Sequence, residues 1–157
     1  MEKRSLPMEE LWQLLQLQLS SGGRARLPVT GYSMMPMLRN RKDTVELIPA
    51  ADRQKRGDVI LYRRESGAYV LHRIIRVKPE YYICCGDNEA KKETVYPTQV
   101  VAAMDAFLRG DKRRSGDHFG YRIYKNIWVW FFPLRRAYIW VRRRLGRFLR
   151  RCRPGRK

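Results

Sequence analysis

Gly31-Tyr32-Ser33-Met34-Met35-Pro36-Met37-Leu38 holds one serine in a turn between apolar residues. Pro36 fixes its own φ and pushes the residue before it toward an extended conformation, so Ser33 sits at a stiff bend. Gly31, with no Cβ, leaves room for backbone or substrate to approach from the other side. A serine hydroxyl is a weak nucleophile until a base takes its proton. The candidate base is His72, in Val70-Leu71-His72-Arg73-Ile74-Ile75. Strand alternation places Val70, His72 and Ile74 on one face, where an unreactive core histidine is the competing reading. Beyond it comes Cys85-Gly86-Asp87-Asn88, a turn bearing a carboxylate. Asp87 is open to two readings, a turn cap or the acid that orients His72. Ser, His and Asp in that order supply a nucleophile, a base and an orienter.

Outward from this bend the chain reads as short strands. Residues 26–30 lead into the serine turn, and Thr44 to Ile48 alternates before Pro49 stops it. Val59 to Tyr62 follows the Arg56-Gly57-Asp58 turn, and Glu65 to Ala68 makes a hairpin loop into a strand over residues 69–77. Tyr81 to Cys85 ends at the Gly86 turn, and residues 95–104 give one or two further strands. Short strands at regular spacing, with Gly and Pro between them, indicate a barrel or sandwich. Residues 7–20 read as a helix begun by Pro7, with Leu11, Leu14, Leu15, Trp12 and Leu19 on one face. Packing against the domain is the plainer role for that face, and shallow membrane contact the other.

Ser33-Met34-Met35-Pro36, the His72-Arg73 step and the Gly86-Asp87-Asn88 turn together resemble the type I signal peptidase family. The similarity is to its Ser–His members, those of archaea, endoplasmic reticulum and spore-formers. Most bacterial members, and the LexA-like repressors of the same fold, use Ser and Lys. It spans residues 27–104, with 39 residues from Ser33 to His72. The chain has Lys42-Asp43 where the family usually has Gly-Asp, and its acids after the turn are Glu89 and Glu93.

The resemblance implies a mainly β fold, a small signal-peptidase/LexA-like barrel-sandwich with an N-terminal helix and a C-terminal amphipathic segment. It implies a serine endopeptidase that cleaves leader, signal or precursor peptides. Ser33 would be the nucleophile, with its backbone N–H in the oxyanion hole, and His72 the base. Asp87 would orient His72, with Glu93 as the alternative acid, while Met34 and Pro36 shape the bend against substrate. Lys42 and Lys55 lie outside the slot that His72 fills. Asp43 and Asp58 read as turn formers, and His118 as unconnected with catalysis. No cofactor is implied. The alternative is a non-catalytic or self-cleaving relative that binds lipid or nucleic acid.

Charge divides the chain. Residues 1–108 carry 17 Lys/Arg against 13 Asp/Glu, and residues 109–157 carry 17 against 2. The expected organisation is a helix in 1–24, the catalytic β domain in 25–108, a polar linker in 109–120 and a basic aromatic tail in 121–157. The tail interleaves Trp128, Trp130, Tyr138 and Trp140 with arginines, and Pro133 splits it into two helical pieces. The second puts Leu134, Tyr138, Val141, Leu145 and Phe148/Leu149 at helical spacing, the pattern of a helix lying in a membrane interface. An anionic membrane surface is the expected partner of residues 121–151. Nucleic acid is the lesser reading, since no recognition motif accompanies the arginines. The protein is expected at the membrane periphery or in the cytoplasm, because no apolar run is long enough to span. Cys84, Cys85 and Cys152 suggest neither a disulfide framework nor a zinc site, which points to a reducing compartment.

Overall fold

A computed structural model describes residues 8–116, 118–134, 137, 138, 141 and 144. Pro7, the side chains of Leu11 and Leu14, Trp140, Leu145, Phe148, Leu149 and Cys152 lie outside the described residues. Helix α1 (Met8–Ser20) leads into strands β1 (Ala25–Pro28), β2 (Asp43–Pro49), β3 (Val59–Arg63) and β4 (Tyr69–Val77). There follow β5 (Tyr82–Cys85), β6 (Glu93–Val95), a 3₁₀ turn over Pro97–Gln99, β7 (Val100–Arg109), β8 (Lys112–Ser115) and α2 (Phe119–Trp130). The fold is mainly β.

The eight strands form one sheet in the order β1-β2-β7-β3-β4-β5-β6, with β8 on β7. Every pairing is antiparallel. Register shifts at Glu46/Leu47, Leu61/Tyr62 and Ile74/Arg76 mark places where an extra residue bends and twists a strand. The bent sheet is covered on both faces. Along β3, Val59 and Leu61 enter one core with Leu15, Leu19, Met34, Leu38 and Phe107, while Ile60 and Tyr62 enter another with Ile74, Tyr82, Cys84 and Val95. The period-two alternation of a strand produces this split. Leu38, fully buried from the serine loop, contributes roughly 1.5–3 kcal/mol by its burial.

Helix α1 packs on the domain through Leu15 and Leu19, as the plainer reading of its apolar face has it. Residues 109–120, expected as a linker, instead contain β8, which turns back on β7 with Arg109 opposite Lys112. Its polar composition is that of an edge strand, where charged side chains face water. Arg113 reaches the buried Glu46 at 2.6 Å, alongside Arg24 at 2.8 Å, and these hydrogen bonds hold the Glu46 carboxyl below its ordinary range. Helix α2 belongs to the folded body too. Tyr121 and Val129 are buried, and Lys125 lies 3.7 Å from Asp58. Among the described residues, no helix is long and apolar enough to cross a membrane.

Candidate active site

The serine loop between β1 and β2 is fixed at both ends. Gly31 adopts φ +89°, a conformation other residues take only with strain, and its N–H donates to Asn40 Oδ1 at 3.0 Å. The Met35–Pro36 peptide is cis. Met34 and Leu38 anchor the bend in the core, and the Leu38 N–H donates to the Met34 carbonyl at 2.9 Å. Pro36 is exposed and faces Phe107 and Tyr121 across a separate hollow rather than lining the cleft of Ser33. At the far end the buried Asp43 accepts from the Arg39 N–H at 3.0 Å and pairs with the Arg39 and Arg109 guanidinium groups. Burial alone would raise its carboxyl, but the bonds from Arg39 outweigh that and lower it. Asp43 is thus the turn former its place in the sequence suggests. Ser33 itself is half-buried, and among the described residues neither its N–H nor its Oγ has a hydrogen-bond partner. Its carbonyl accepts from the Asn88 N–H at 2.7 Å, which clamps the serine bend to the Gly86 turn.

His72 is 2% exposed on β4, opposite Ile60 of β3. Tyr62, two residues along β3, lies diagonal to it and reaches it with its hydroxyl. The Tyr62 hydroxyl is 3.1 Å from His72 Nδ1 and donates to Glu93 Oε2 at 2.9 Å. Arg64 grips both Glu93 oxygens, through Nε at 2.8 Å and through Nη2. Burial would raise the Glu93 carboxyl, but the bonds from Arg64 and Tyr62 bring it below its ordinary range. An ionised carboxylate only accepts, so the single proton of Tyr62 goes to Glu93 and the phenol oxygen is left to accept from His72. Nδ1 therefore carries the imidazole proton and Nε2 presents a lone pair. Burial and Glu93 hold Tyr62 protonated well above its ordinary range. The His72 ring is pushed below its ordinary value of 6.5, because burial disfavours the cation more than Glu89 and Glu93 favour it.

Nε2 faces Gly86. A methyl group placed on Gly86 would lie 2.7 Å from the Ser33 carbonyl oxygen and 3.1 Å from both His72 Nε2 and the Glu89 side chain. Only a residue without a side chain lets the serine bend, the histidine and Glu89 close on one point. Glu89 Oε2 lies 3.8 Å from Nε2, beyond hydrogen-bond range but close enough to favour a proton arriving there. Ser33, His72 and Glu89 line one cleft of about 270 Å³, walled by Leu15, Leu27, Leu61 and Leu71 and flanked by Trp12, whose ring meets Tyr69 at 4.8 Å.

Asp87 is placed elsewhere. Its two carboxylate oxygens accept from Arg73 Nε and Nη2, both at 2.8 Å, and both residues are 1% exposed. Arg73 also donates to the Gly57 carbonyl at 2.8 Å and to the Tyr121 hydroxyl at 3.3 Å. Burial alone would lower the guanidinium pKa, but Asp87 beside it raises it. Helix α2 covers the pair: the Tyr124 hydroxyl donates to Asp87 Oδ2 at 3.2 Å and Trp128 Nε1 to the Asp87 carbonyl at 3.3 Å. The expected orienting acid is thus committed to Arg73, and Glu93 holds the histidine instead, through Tyr62.

Tyr62 and Arg64 join the site beyond the candidate residues read from the sequence, while Gly86 and Glu89, read there only as motif glycine and following acid, take direct places in it. Tyr62 carried a readable signal. It stands in the strand hairpinned to that of His72, and diagonal cross-strand neighbours lie within reach of an aromatic side chain. His72, Glu89 and Glu93 bring ligand-type atoms within 4.8 Å of one another. The Glu93 carboxylate is already taken by Arg64 and Tyr62, so a cation there would compete with a guanidinium. Cys84 and Cys85 are buried, the Cys85 thiol donates to the Glu89 and Lys91 carbonyls, and the Cys84 thiol is pushed up to about 12 by burial. Lys42 and Lys55 are exposed, and neither lines the cleft. Comparison with protein-family models, curated proteins and solved structures returns no match to this chain.

Proposed function

We propose that the chain is a serine endopeptidase of the signal-peptidase kind, its bent antiparallel sheet serving as that family's β core. The observation that carries the reading is that Ser33 and His72 line one cleft, with the Ser33 backbone carbonyl and the proton-free His72 nitrogen both set against Gly86. In this mechanism Ser33 Oγ attacks a scissile carbonyl while Nε2 takes its proton, and Nε2 then returns it to the leaving amine. The Ser33 N–H, without an acceptor among the described residues, holds the oxyanion. Glu89 and the Tyr62–Glu93 pair steady the imidazolium formed between the two steps. Ser33 Oγ and His72 are not hydrogen-bonded in the free protein, and such contacts commonly tighten only around substrate. The substrate would be a leader, signal or precursor peptide, bound extended with apolar side chains against Leu27, Leu61 and Leu71.

The test is cleavage itself. Purified full-length protein is incubated with a library of precursor-type peptides, and new termini are read by mass spectrometry. Termini that vanish with Ser33→Ala support the proposal. Peptides left intact from pH 5 to 9 would sink it and leave a binding role.

Acidity gives a second expected outcome. Below pH 6.5 the unfolded histidine takes up a proton that the buried ring resists, so His72 remains a neutral base under mildly acidic conditions. The stability owed to the neutral ring is complete above 6.5 and is lost as pH falls through the lower folded pKa. The acid limb of kcat/KM should therefore have its midpoint below 6.5. A rate rising only above pH ~8 would point to a lysine base instead.

Tyr62→Phe offers a third. It removes the acceptor that fixes the Nδ1–H tautomer and costs about 1–3 kcal/mol, or roughly 5- to 150-fold in kcat, with KM little changed. The tautomer assignment is wrong if the variant keeps both its rate and the wild-type pH profile.

A further inference from the structure

Helix α2 has two faces of opposite character. Its inner face holds Asp87 through Tyr124 and Trp128 and buries Tyr121 and Val129. The residues described beyond it, 132–134, 137, 138, 141 and 144, are helical as well. On the outside, Phe119, Ile123, Ile127 and Trp130 step along α2, and Leu134 and Tyr138 beyond its end are exposed too. These six are 43% to 76% exposed. Within α2, steps of three and four residues keep Phe119, Ile123, Ile127 and Trp130 on one side of the helix, so these four form a stripe. A soluble surface scatters such residues singly, whereas a contiguous apolar stripe marks a docking face.

Charge decides what covers it. Residues 109–157 carry 17 Lys/Arg against 2 Asp/Glu, and Arg122 stands exposed beside the stripe. A second copy of the chain would bring the same excess of cations to the interface, and its residues 1–108 are basic as well. Nucleic acid would answer the arginines but has no apolar medium for aliphatic Ile123, Ile127 and Leu134, which cannot stack on bases as aromatic rings do. An anionic lipid surface supplies both a bed of acyl chains and a layer of negative headgroups. We infer that the outer face of α2 lies flat in an anionic membrane surface. The inference is independent of the peptidase reading, since it needs neither Ser33 nor His72.

The experiment uses the full-length chain and vesicles of phosphatidylcholine with or without phosphatidylglycerol. Wild type should sediment with the anionic vesicles, far less with the neutral ones, and salt should weaken but not abolish the attachment. Ile123→Ser, Ile127→Ser and Trp130→Ser combined should reduce anionic binding at least about tenfold, since each removes an apolar side chain from the contact. All three side chains are exposed, so the urea unfolding midpoint of the variant should match wild type and show that the loss is not misfolding. Wild type that ignores anionic vesicles, or a triple variant that binds as well as wild type, overturns the inference. So does a dimer dissolved by the same substitutions while vesicles stay unbound, because a second copy would then be what covers the stripe.

Discussion

The full-length protein carrying Ser33→Ala should cleave peptide about 10⁴- to 10⁶-fold more slowly than wild type, and adding His72→Ala should make it no slower. In the proposed mechanism the two side chains act in one proton transfer, so removing the nucleophile leaves the base nothing to do. Fold and function separate cleanly at Ser33. Its Oγ has no partner among the described residues, and the clamp to the Gly86 turn runs through the backbone carbonyl, which Ala keeps. The unfolding midpoint of Ser33→Ala should therefore stay at the wild-type value while turnover disappears. His72→Ala is the harsher change, because the ring is 2% exposed and fills space beside Tyr62. His72→Gln, of closer volume, provides the control for packing. Near-wild-type turnover in Ser33→Ala would end the acyl-transfer mechanism. Turnover surviving only in the His72 variants would return the base to a lysine, although neither Lys42 nor Lys55 lines the cleft.

Periodicity made much of the scaffold legible. The strand read over residues 69–77 is β4 to the residue, and the Glu65–Ala68 loop does join it to β3. Alternation also put His72 and Arg73 on opposite faces. The missing step was to extend that alternation across the sheet. Cys85 pairs with Arg73, and partners across a ladder point to the same side, so Asp87, two residues on, falls on the arginine's side and Gly86 on the histidine's. A turn motif states that a carboxylate is present, not which neighbour it faces. The basic segment was half legible for a similar reason. The helical spacing read over residues 134–149 lies mostly outside the described residues, and in α2 periodicity marks two faces without saying which meets the body. Tyr121, Tyr124 and Trp128 turned inward, and only the complementary stripe stayed outside. In β8, polar composition hid a strand, because an edge strand that binds Glu46 with Arg113 has the residues of a linker.

Asp87→Ala should destabilise the protein by about 3–5 kcal/mol, because it leaves the Arg73 guanidinium buried without its counterion. That is a large share of the roughly 5–15 kcal/mol that holds a domain together. The loss should be concentrated where the pair sits, since Arg73 ties β4 to the Gly57 carbonyl and to Tyr121, and Asp87 ties the Gly86 turn to Tyr124. Asp87→Asn separates charge from shape. It keeps a carbonyl acceptor for one Arg73 N–H but removes the anion, so its stability should fall between wild type and Asp87→Ala. Pairing Asp87→Ala with Arg73→Met should recover part of the loss, because a buried ion pair replaced by apolar groups no longer leaves an unpaired charge. A catalytic orienter would behave in the opposite way. Its removal would lower turnover at unchanged stability, and Arg73→Met would rescue nothing. Urea unfolding of the four proteins, with turnover measured per folded molecule, distinguishes the two roles. An Asp87→Ala protein with the wild-type midpoint and a collapsed rate per folded molecule would restore Asp87 to the catalytic centre.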